Sequence, residues 1–452
     1  MSGKGRPGRG RQANVRRTVG LAARRIAAEC LGEIVDKGRR IDQVLGPGGH
    51  ALYPALIAKD RALVRAILGA ALRHHGAITT ILARLVETPP PRRVARLAHV
   101  LGVGAAQVLY LDVPDHAAVA LAVETAAQDR DMRHYKGLVN AVMRRLSTEK
   151  DALLGELDEV RINTPDWLFD GWVAAYGEAT ARRIAEAHLH EAALDLTVKT
   201  DAAGWAGRLG GAVLPTGSVR LSGGGRIEDL DGFAEGAWWV QDTAASLPAR
   251  LLGAVSGKRV ADLCAAPGGK TAQLAAAGAD VVALDQSAER LERLGANLFR
   301  LGLSARVVAA DILDWQPGET YEAVLLDAPC SATGTIRRHP DIPLLKRAED
   351  IAALAETQKK LAARAADLVA PGGTLLYCTC SLEPAEGEAV VAALLAGGAP
   401  FERVPIRAEE VPGLADAITP AGELRTLPFM LAAPEGLPGG LDGFFIARLQ
   451  RI

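Results

Sequence analysis

The sequence predicts a multidomain α plus α/β protein, in which an all-helical domain precedes a domain built on a mostly parallel sheet. Apolar residues recur at helical spacing over residues 18–147. From about residue 241 onward, short β-rich runs alternate with helical stretches, which is typical of βαβ units. The chain has 452 residues, a length that suits about three domains.

Composition excludes several classes of protein. Hydrophobic residues make up 49% of the chain and charged residues 23%, which excludes global disorder. We expect no membrane partner, since no apolar stretch reaches the ~18 residues that a span needs. The first residues lack the apolar core of a secretory signal. Five cysteines in so long a chain do not form a disulfide scaffold, so we expect a cytoplasmic protein.

The N-terminal end is strongly basic although the net charge of the chain is −1. Residues 1–17 are predicted to form a disordered basic tail. Two interpretations of this tail stay open, namely a solvated segment or an arm that contacts RNA phosphates. Its basic residues are Lys4, Arg6, Arg9, Arg11, Arg16 and Arg17.

Residues 18–147 are predicted to form the all-helical domain. One helix is predicted from an apolar stripe with arginines outside it, and the stripe contains Ile57, Leu63, Val64, Ile67 and Leu68. The prolines at 89–91 end a helix after Val86. Further helices are predicted at 92–111, 115–130 and 134–147.

Residues 148–240 are predicted to form a small mixed α/β connector. The Thr-Pro-Asp sequence at 164–166 is a helix-start signal. β-like runs follow at 194–200 and 212–220, and a Gly-rich turn follows at 223–225.

The remaining residues, 241–452, are predicted to form a domain with a mostly parallel sheet. Its expected strands are 259–263, 280–284, 305–309, 322–326 and 374–378, with a final strand near 443–449. Several of these strands are apolar on both faces, as expected for a sheet that helices cover on both sides.

The first of these strands runs into a glycine turn that opens a helix. Its candidate ligand-binding residues are Cys264, Ala265, Ala266, Pro267, Gly268, Gly269 and Lys270. Such a turn lets backbone N–H groups approach a ligand at a helix N-terminus. A phosphate-binding P-loop is excluded, because position 264 is Cys where that motif needs glycine. A purely structural turn is the alternative.

Acidic residues follow the next two strands. Asp285 ends the second strand, roughly 20 residues after the glycine turn, where an acid can accept hydrogen bonds from ribose hydroxyls. Asp311 ends the third β-run, where it could meet an adenine edge. Each acid alone is more often a cap or turn residue, but together with the turn they favour a nucleoside-containing cofactor. The Gly-x-Gly-x-x-Gly fingerprint of NAD sites is absent.

Two further strands end in cysteine-bearing turns. Because the carboxyl ends of parallel strands meet at one edge, we expect Asp327, Cys330 and Cys380 to lie beside the ligand. Cys378 is interpreted as a structural thiol. A zinc site formed by these three cysteines with Cys264 is an alternative, but its spacing lacks paired Cys-x-x-Cys units. We therefore predict no metal site.

These motifs resemble those of the Sun/RsmB-type RNA (cytosine-5-)-methyltransferases. The resemblance rests on the sequences at 265–271, 327–331 and 379–381, which read Ala-Ala-Pro-Gly-Gly-Lys-Thr, Asp-Ala-Pro-Cys-Ser and Thr-Cys-Ser. The Trp-Val-Gln-Asp at 239–242 and the Arg-Arg-His-Pro-Asp at 337–341 match as well.

The N-terminal part also resembles a known domain. Residues 16–147 resemble the NusB-like RNA-binding domain that bacterial members of the family carry. Its helical landmarks match at Asp60-Arg61 and at Gly-Leu-Val-Asn-Ala-Val, 137–142. The resemblance therefore covers nearly the whole chain.

The resemblance implies a Rossmann-like methyltransferase that uses S-adenosyl-L-methionine and a covalent mechanism. It implies that Cys380 attacks C6 of cytosine and that Asp327 binds N3 and the exocyclic amine. Cys330 would help to remove the C5 proton and release Cys380. Lys270 would favour a thiolate and orient the base. The glycine turn, Asp285, Asp311 and Asp327 would hold the cofactor.

The same resemblance indicates the substrate. The NusB-like domain favours 16S rRNA, contacted by a monomer through the basic tail, the helical domain, Arg337 and Arg338. A tRNA cytosine-5 methyltransferase is one alternative. Others are a DNA methyltransferase with a Pro-Cys nucleophile and a non-catalytic RNA-binding antitermination factor.

Overall fold

The computed structural model describes residues 20–88, 91, 94–223, 225–432 and 434–452. These residues form two compact units that divide between Leu157 and Asp158. The basic tail predicted at 1–17 lies outside the described residues.

The N-terminal unit is helical, which confirms that part of the predicted fold class. Helix α5 packs against α1, α3, α6 and α7, and most of its side chains are buried, as expected of a central helix. Helix α7 continues beyond residue 147, where the sequence predicted its end. The helices are α1 (Leu21–Val35), α2 (Ile41–Leu45), α3 (Ala58–Arg73), α4 (His75–Leu85), α5 (Arg96–Tyr110), α6 (Asp115–Gln128) and α7 (Lys136–Gly155).

One residue of the predicted apolar stripe does not enter the core. Val64, Ile67 and Leu68 of α3 are fully buried. Ile57, however, is the N-cap of α3 and is 67% exposed. The stripe was therefore extended one turn too far, because helical spacing alone does not show where the first turn begins.

The second unit opens with a connecting region that contains a small antiparallel sheet. Its strands are ordered β2-β3-β1-β4. The predicted strand at 212–220 is wrong as a single element, because a turn interrupts it. Leu214 and Ser218 close that turn by a 2.8 Å backbone hydrogen bond, with Gly217 at φ 85°. The elements are α8 (Glu159–Ile162), α9 (Asp166–Tyr176), α10 (Glu178–His188), α11 (Ala202–Leu209), β1 (Leu194–Val198), β2 (Gly211–Val213), β3 (Val219–Leu221) and β4 (Trp238–Val240).

A larger, mostly parallel sheet follows, as the sequence predicted. Its order is β10-β12-β9-β8-β5-β6-β7, and β11 pairs with β12. The neighbours from β9 to β7 are parallel, whereas β12 is antiparallel to β9, β10 and β11. The strands are β5 (Arg259–Leu263), β6 (Asp280–Asp285), β7 (Arg306–Ala309), β8 (Tyr321–Asp327), β9 (Val369–Thr379), β10 (Phe401–Arg403), β11 (Leu424–Thr426) and β12 (Phe444–Arg451).

Side chains on both faces of this sheet are buried. On β8, Ala323 and Leu325 join one hydrophobic cluster, while Val324 and Leu326 join the cluster on the other face. The accompanying helices are α12 (Thr243–Leu251), α13 (Gly269–Ala276), α14 (Ala288–Leu301), α15 (Ile342–Leu345), α16 (Ala348–Asp367) and α17 (Glu388–Ala396). With both faces covered, the open places for a ligand are the strand ends. In the described part of the chain, no helix combines the length and apolarity required to cross a membrane.

Candidate active site

The glycine turn links β5 to α13 at the carboxyl edge of the sheet. The Gly268 N–H donates to the Ala265 carbonyl at 2.8 Å, and Gly268 has a φ of 100°. A Cβ at this position would lie 2.8 Å from Leu294 Cγ of α14. Glycine is therefore required here both by the left-handed backbone and by the close approach of the next helix. Cys264, which precedes the turn, also has a positive φ of 60°.

Asp285 ends β6 beside this turn and is 2% exposed. Its carboxylate accepts hydrogen bonds from the backbone N–H groups of Ala266 and Ser287, at 3.2 and 3.0 Å. Arg290 Nη1 lies 3.2 Å from the same carboxylate. A carboxylate accepts about four hydrogen bonds, so Asp285 keeps capacity for a ribose hydroxyl. The residues present fit a nucleoside group at this edge.

Arg290 was missed by the sequence analysis. Its guanidinium also donates to the Ala266 carbonyl, so it ties the first turn of α14 to the glycine turn. The only sequence signal was a basic residue in the first turn of the helix after Asp285, a position that many solvent-exposed arginines occupy.

Asp311 lies just beyond β7, next to Asp285 along the sheet edge. The Ala310 N–H donates to the Asp285 carbonyl at 3.2 Å, which places the two acids on neighbouring strand ends. Asp311 is exposed, and its Oδ1 accepts from the Leu313 N–H at 2.9 Å. Its carboxylate thus caps a turn while facing solvent.

Lys270 and Asp327 form an ion pair between α13 and the end of β8. Lys270 Nζ lies 2.8 Å from Asp327 Oδ2 and 5.2 Å from the centre of the Phe444 ring. Burial acts to lower the pKa of Lys270, but the Asp327 carboxylate and other nearby acids raise it above its usual value. Lys270 is therefore a cation, and Asp327 keeps a charged partner. Cys378 donates to the other Asp327 oxygen at 3.5 Å.

Asp262 of β5, which was not predicted as a site residue, lies close enough to Lys270 and Asp327 to interact with both charges. Its side chain is fully buried and accepts from the Thr271 hydroxyl at 2.6 Å. Burial raises the pKa of this carboxyl to about 7, which the Thr271 hydrogen bond and Lys270 partly oppose. The sequence carried no signal for a buried acid here, because a single acid in an apolar strand is expected to face solvent at the edge of a sheet.

Cys330 and Cys380, the two cysteines predicted to lie beside the ligand, are in contact with each other. Cys330 Sγ and Cys380 Sγ are 3.4 Å apart, and both residues are partly buried. The hydrogen bond with Cys380 and burial raise the pKa of the Cys330 thiol well above its usual value, and the nearby Glu386 carboxylate acts in the same direction. Cys330 is therefore a protonated thiol at neutral pH, within hydrogen-bond distance of the Cys380 sulfur, and either sulfur can be the donor.

The other two cysteines of this edge occupy different positions. Cys378 is fully buried in β9, where it pairs in register with Asp327. Burial raises the pKa of the Cys264 thiol above its usual value, and Asp327 and Asp285 add to the effect.

Among the described residues, no group of three or more His, Cys, Asp or Glu side chains could hold a metal ion.

Arg337 and Arg338 were both predicted to contact RNA, and both make contacts within the protein. Arg337 is too buried to reach RNA, whereas the side chain of Arg338 is 24% exposed and its contact with RNA stays a prediction. Arg337 is 4% exposed, and its guanidinium donates to the carbonyls of Glu191 and Gly439, both at 3.1 Å. Arg338 forms ion pairs with Asp242 and Asp442, at 2.5 and 3.0 Å. The charge of these residues can be read from the sequence, but the carboxylates and carbonyls that surround them cannot.

Comparison with known proteins places this chain in a family. Residues 249–450 match the family described as 16S rRNA methyltransferase RsmB/F, and residues 21–148 match the NusB family. Ribosomal RNA small subunit methyltransferase B of Salmonella arizonae is 35% identical over 443 residues, which cover 94% of this chain and 98% of that protein.

Solved structures agree with this fold. The crystal structure of PH0851 matches with a TM-score of 0.73 and 22% identity, over 96% of this chain and 99% of that one. A methyltransferase homologue from Pyrococcus horikoshii matches with a TM-score of 0.51 and 26% identity, over 68% of this chain and 99% of that one.

The parallel sheet, the glycine turn and the family match define an S-adenosylmethionine-dependent RNA methyltransferase. The chain belongs to the RsmB/F family of 16S rRNA methyltransferases and carries an N-terminal NusB domain. The resemblance seen in the motifs is thereby confirmed, as are the class of enzyme and its cofactor. The alternative of a non-catalytic RNA-binding factor is set aside.

Proposed function

We propose that this chain methylates C5 of a cytosine in 16S rRNA through a covalent bond between Cys380 Sγ and C6 of the base. The 3.4 Å contact between the sulfurs of Cys330 and Cys380 carries this proposal. It lies on the sheet edge that also holds the Lys270–Asp327 ion pair. One edge thus offers a nucleophile, a second thiol and a charged carboxylate.

The chemistry explains why these groups are needed. C5 of cytosine is a poor nucleophile, and addition of a thiolate to C6 makes the ring electron-rich at C5. The glycine turn, Asp285 and Asp311 would hold S-adenosylmethionine, which would supply the methyl group. Asp327 accepts hydrogen bonds from the exocyclic amine and from N3 after N3 takes up a proton from water as the adduct forms, which stabilises the adduct. N3 returns that proton to water when the product is released. Lys270 fixes the Asp327 carboxylate and keeps its charge compensated.

Cys330 serves the two ends of the reaction differently. Before attack, its S–H group donates to the Cys380 sulfur and stabilises negative charge there. After methyl transfer, a Cys330 thiolate accepts the proton from C5. The electron pair of that C5–H bond forms the C5–C6 double bond, and the C6–S bond breaks to return the Cys380 thiolate. Cys330 must therefore lose its own proton to water before the release step, and the proton that it then takes from C5 restores its thiol.

RNA recognition is assigned to the N-terminal part of the chain. A stacked base is hidden from this site, so the target cytosine must lie in a loop or be flipped out. The NusB domain and the basic tail at 1–17 would hold the surrounding RNA, and the region 148–240 would connect them to the catalytic domain. We expect the enzyme to act as a monomer in the cytoplasm.

The two cysteines can be separated by trapping the adduct. Each variant is incubated with S-adenosylmethionine and unmodified RNA, and denaturation-resistant protein–RNA complexes are resolved on a gel. Cys330→Ala should accumulate the complex, wild type should show little, and Cys380→Ala and the double variant none. Reversed behaviour of the single variants would make Cys330 the nucleophile. Retained activity without any complex would refute the covalent mechanism.

The substrate is tested by direct competition. Protein-free 16S rRNA, small ribosomal subunits and tRNA are incubated with the enzyme, and bisulfite sequencing locates 5-methylcytosine. We expect one modified cytosine in 16S rRNA and none in tRNA. Modification of tRNA alone would refute the ribosomal assignment while leaving the chemistry intact.

A further inference from the structure

A fully buried acid that the mechanism above does not use lies behind the two cysteine turns. Glu386 has no exposed side-chain surface. Its Oε1 accepts from the Ser331 N–H and from Gln358 Nε2, both at 2.9 Å. Its Oε2 accepts from the hydroxyls of Ser331 and Ser381, the latter at 2.5 Å. Glu386 therefore accepts from four donors, two at each carboxyl oxygen.

The partners of Glu386 belong to both turns. Ser331 directly follows Cys330 and Ser381 directly follows Cys380, and the two hydroxyl oxygens lie 3.2 Å apart. Gln358 of α16 also donates to the carbonyl of Pro329, at 2.8 Å, just before Cys330. One carboxylate therefore connects the end of β8, the end of β9 and α16.

We propose that Glu386 is a positioning residue for methyl transfer, whose carboxylate holds the turns of Cys330 and Cys380 at the separation that the reaction needs. This inference rests on the proposed covalent function. Glu386 touches neither sulfur by any hydrogen bond in the described structure, so it positions the two turns through Ser331, Ser381 and Gln358, in addition to its electrostatic effect on Cys330. Loss of the carboxylate would remove the acceptor that these buried donors share and free both turns to relax.

The arrangement predicts which substitutions are tolerated. In Glu386→Gln, the amide oxygen can accept from Ser331 N–H and Gln358, while the amide NH2 donates to the two hydroxyls, which can accept as well as donate. Glu386→Gln should therefore retain the geometry, whereas Glu386→Ala cannot. Glu383→Ala is the matched control. It removes another buried acid of the same segment, whose Oε1 accepts from Trp172 Nε1 at 3.1 Å.

The separation of the sulfurs can be measured without catalysis. Phenylarsine oxide binds two thiols at once only when both can reach the same arsenic atom. Wild type, Glu386→Gln and Glu383→Ala should capture it, and Glu386→Ala should lose that capture. Cys330→Ala must abolish capture and Cys378→Ala must not, which shows that the reagent reports the intended pair.

Activity supplies a second readout. In Glu386→Ala, kcat should fall by about 100-fold, as expected of a small misplacement of reacting groups, with KM values for RNA and S-adenosylmethionine little changed. Glu386→Gln should restore most of kcat.

Unchanged capture and kcat in a folded Glu386→Ala protein would overturn the inference. Where that variant does not fold, the Ser331→Ala, Ser381→Ala double variant replaces it, and unchanged capture there overturns the inference equally. If Cys380→Ala is inactive while Glu386→Ala keeps wild-type activity, the positioning role of Glu386 is refuted and the covalent function of Cys380 stands.

Discussion

Lys270 Nζ lies 2.8 Å from Asp327 Oδ2, so the helix that starts at the glycine turn is tied to the strand end that carries Asp327. The pair joins the two halves of the proposed site, one for the methyl donor and one for the base. Lys270 itself remains a cation, because the Asp327 carboxylate raises the pKa of Lys270 above its usual value.

Lys270→Met removes this charge while keeping most of the side-chain volume. We expect the single-turnover rate of methyl transfer to fall roughly 100-fold, since Asp327 is no longer held in place. Binding of S-adenosylmethionine should change far less, as measured by calorimetry. Lys258→Met, which alters an exposed lysine, serves as the control. An unchanged single-turnover rate would remove Lys270 from the catalytic group.

Release of the product should depend on pH through Cys330. Its raised pKa means that the thiolate is scarce at neutral pH and increases as the pH rises. Because release needs this thiolate, the rate at which a pre-formed adduct decays should rise about tenfold per pH unit from pH 6 to pH 8. Single-turnover adduct formation, measured in parallel, should rise less steeply. Parallel profiles would contradict a separate role for Cys330 in release.

Asp285→Ala should weaken the binding of S-adenosylmethionine. Losing hydrogen bonds to a charged group costs ~1.5–3 kcal/mol, and this substitution also frees the Ala266 and Ser287 N–H groups that shape the turn. Calorimetry should show a correspondingly higher Kd. Asp311→Ala, at the exposed acid next along the edge, should have a smaller effect. Equal affinity in wild type and Asp285→Ala would exclude Asp285 from the cofactor site.

Arg338→Met should lower the free energy of unfolding of the protein. It should leave the salt dependence of RNA binding unchanged. Removing one partner of a buried pair costs about 3–5 kcal/mol, and here both Asp242 and Asp442 lose their partner. Urea unfolding should show this loss, whereas the salt dependence of RNA binding should match wild type. Arg293→Met, at a 59% exposed side chain, should leave stability nearly unchanged. A shallower salt slope for Arg338→Met would show that Arg338 contacts RNA.

Deletion of residues 1–17 tests the two interpretations of the basic tail. If the tail contacts phosphates, RNA affinity should fall and the slope of log affinity against log salt should become shallower, because fewer counterions are released. Filter binding at several salt concentrations measures both quantities. An identical slope in the truncated protein would favour a solvated tail.

Much of this protein followed from its sequence alone. Helical spacing and alternating β-runs predicted the helical domain and the parallel sheet, because periodicity reports directly which side chains are buried. The turn at 264–270 and the residues Asp285, Asp327, Cys330 and Cys380 were also found from sequence. Each of them follows a strand, and parallel strands bring their carboxyl ends to one edge.

Other features were decided only by the tertiary structure. Arg337 and Arg338 lie in a motif that suggested RNA binding, yet Arg338 pairs with Asp242 and Asp442, residues far from it in the chain. Glu386 gave no sequence signal, since its hydrogen bonds to Ser331 and Gln358 exist only after folding. Local sequence determines which side chains are apolar or charged. It does not determine which distant donor or acceptor compensates a buried charge, and that partner decides whether the charge stabilises the fold or serves the reaction.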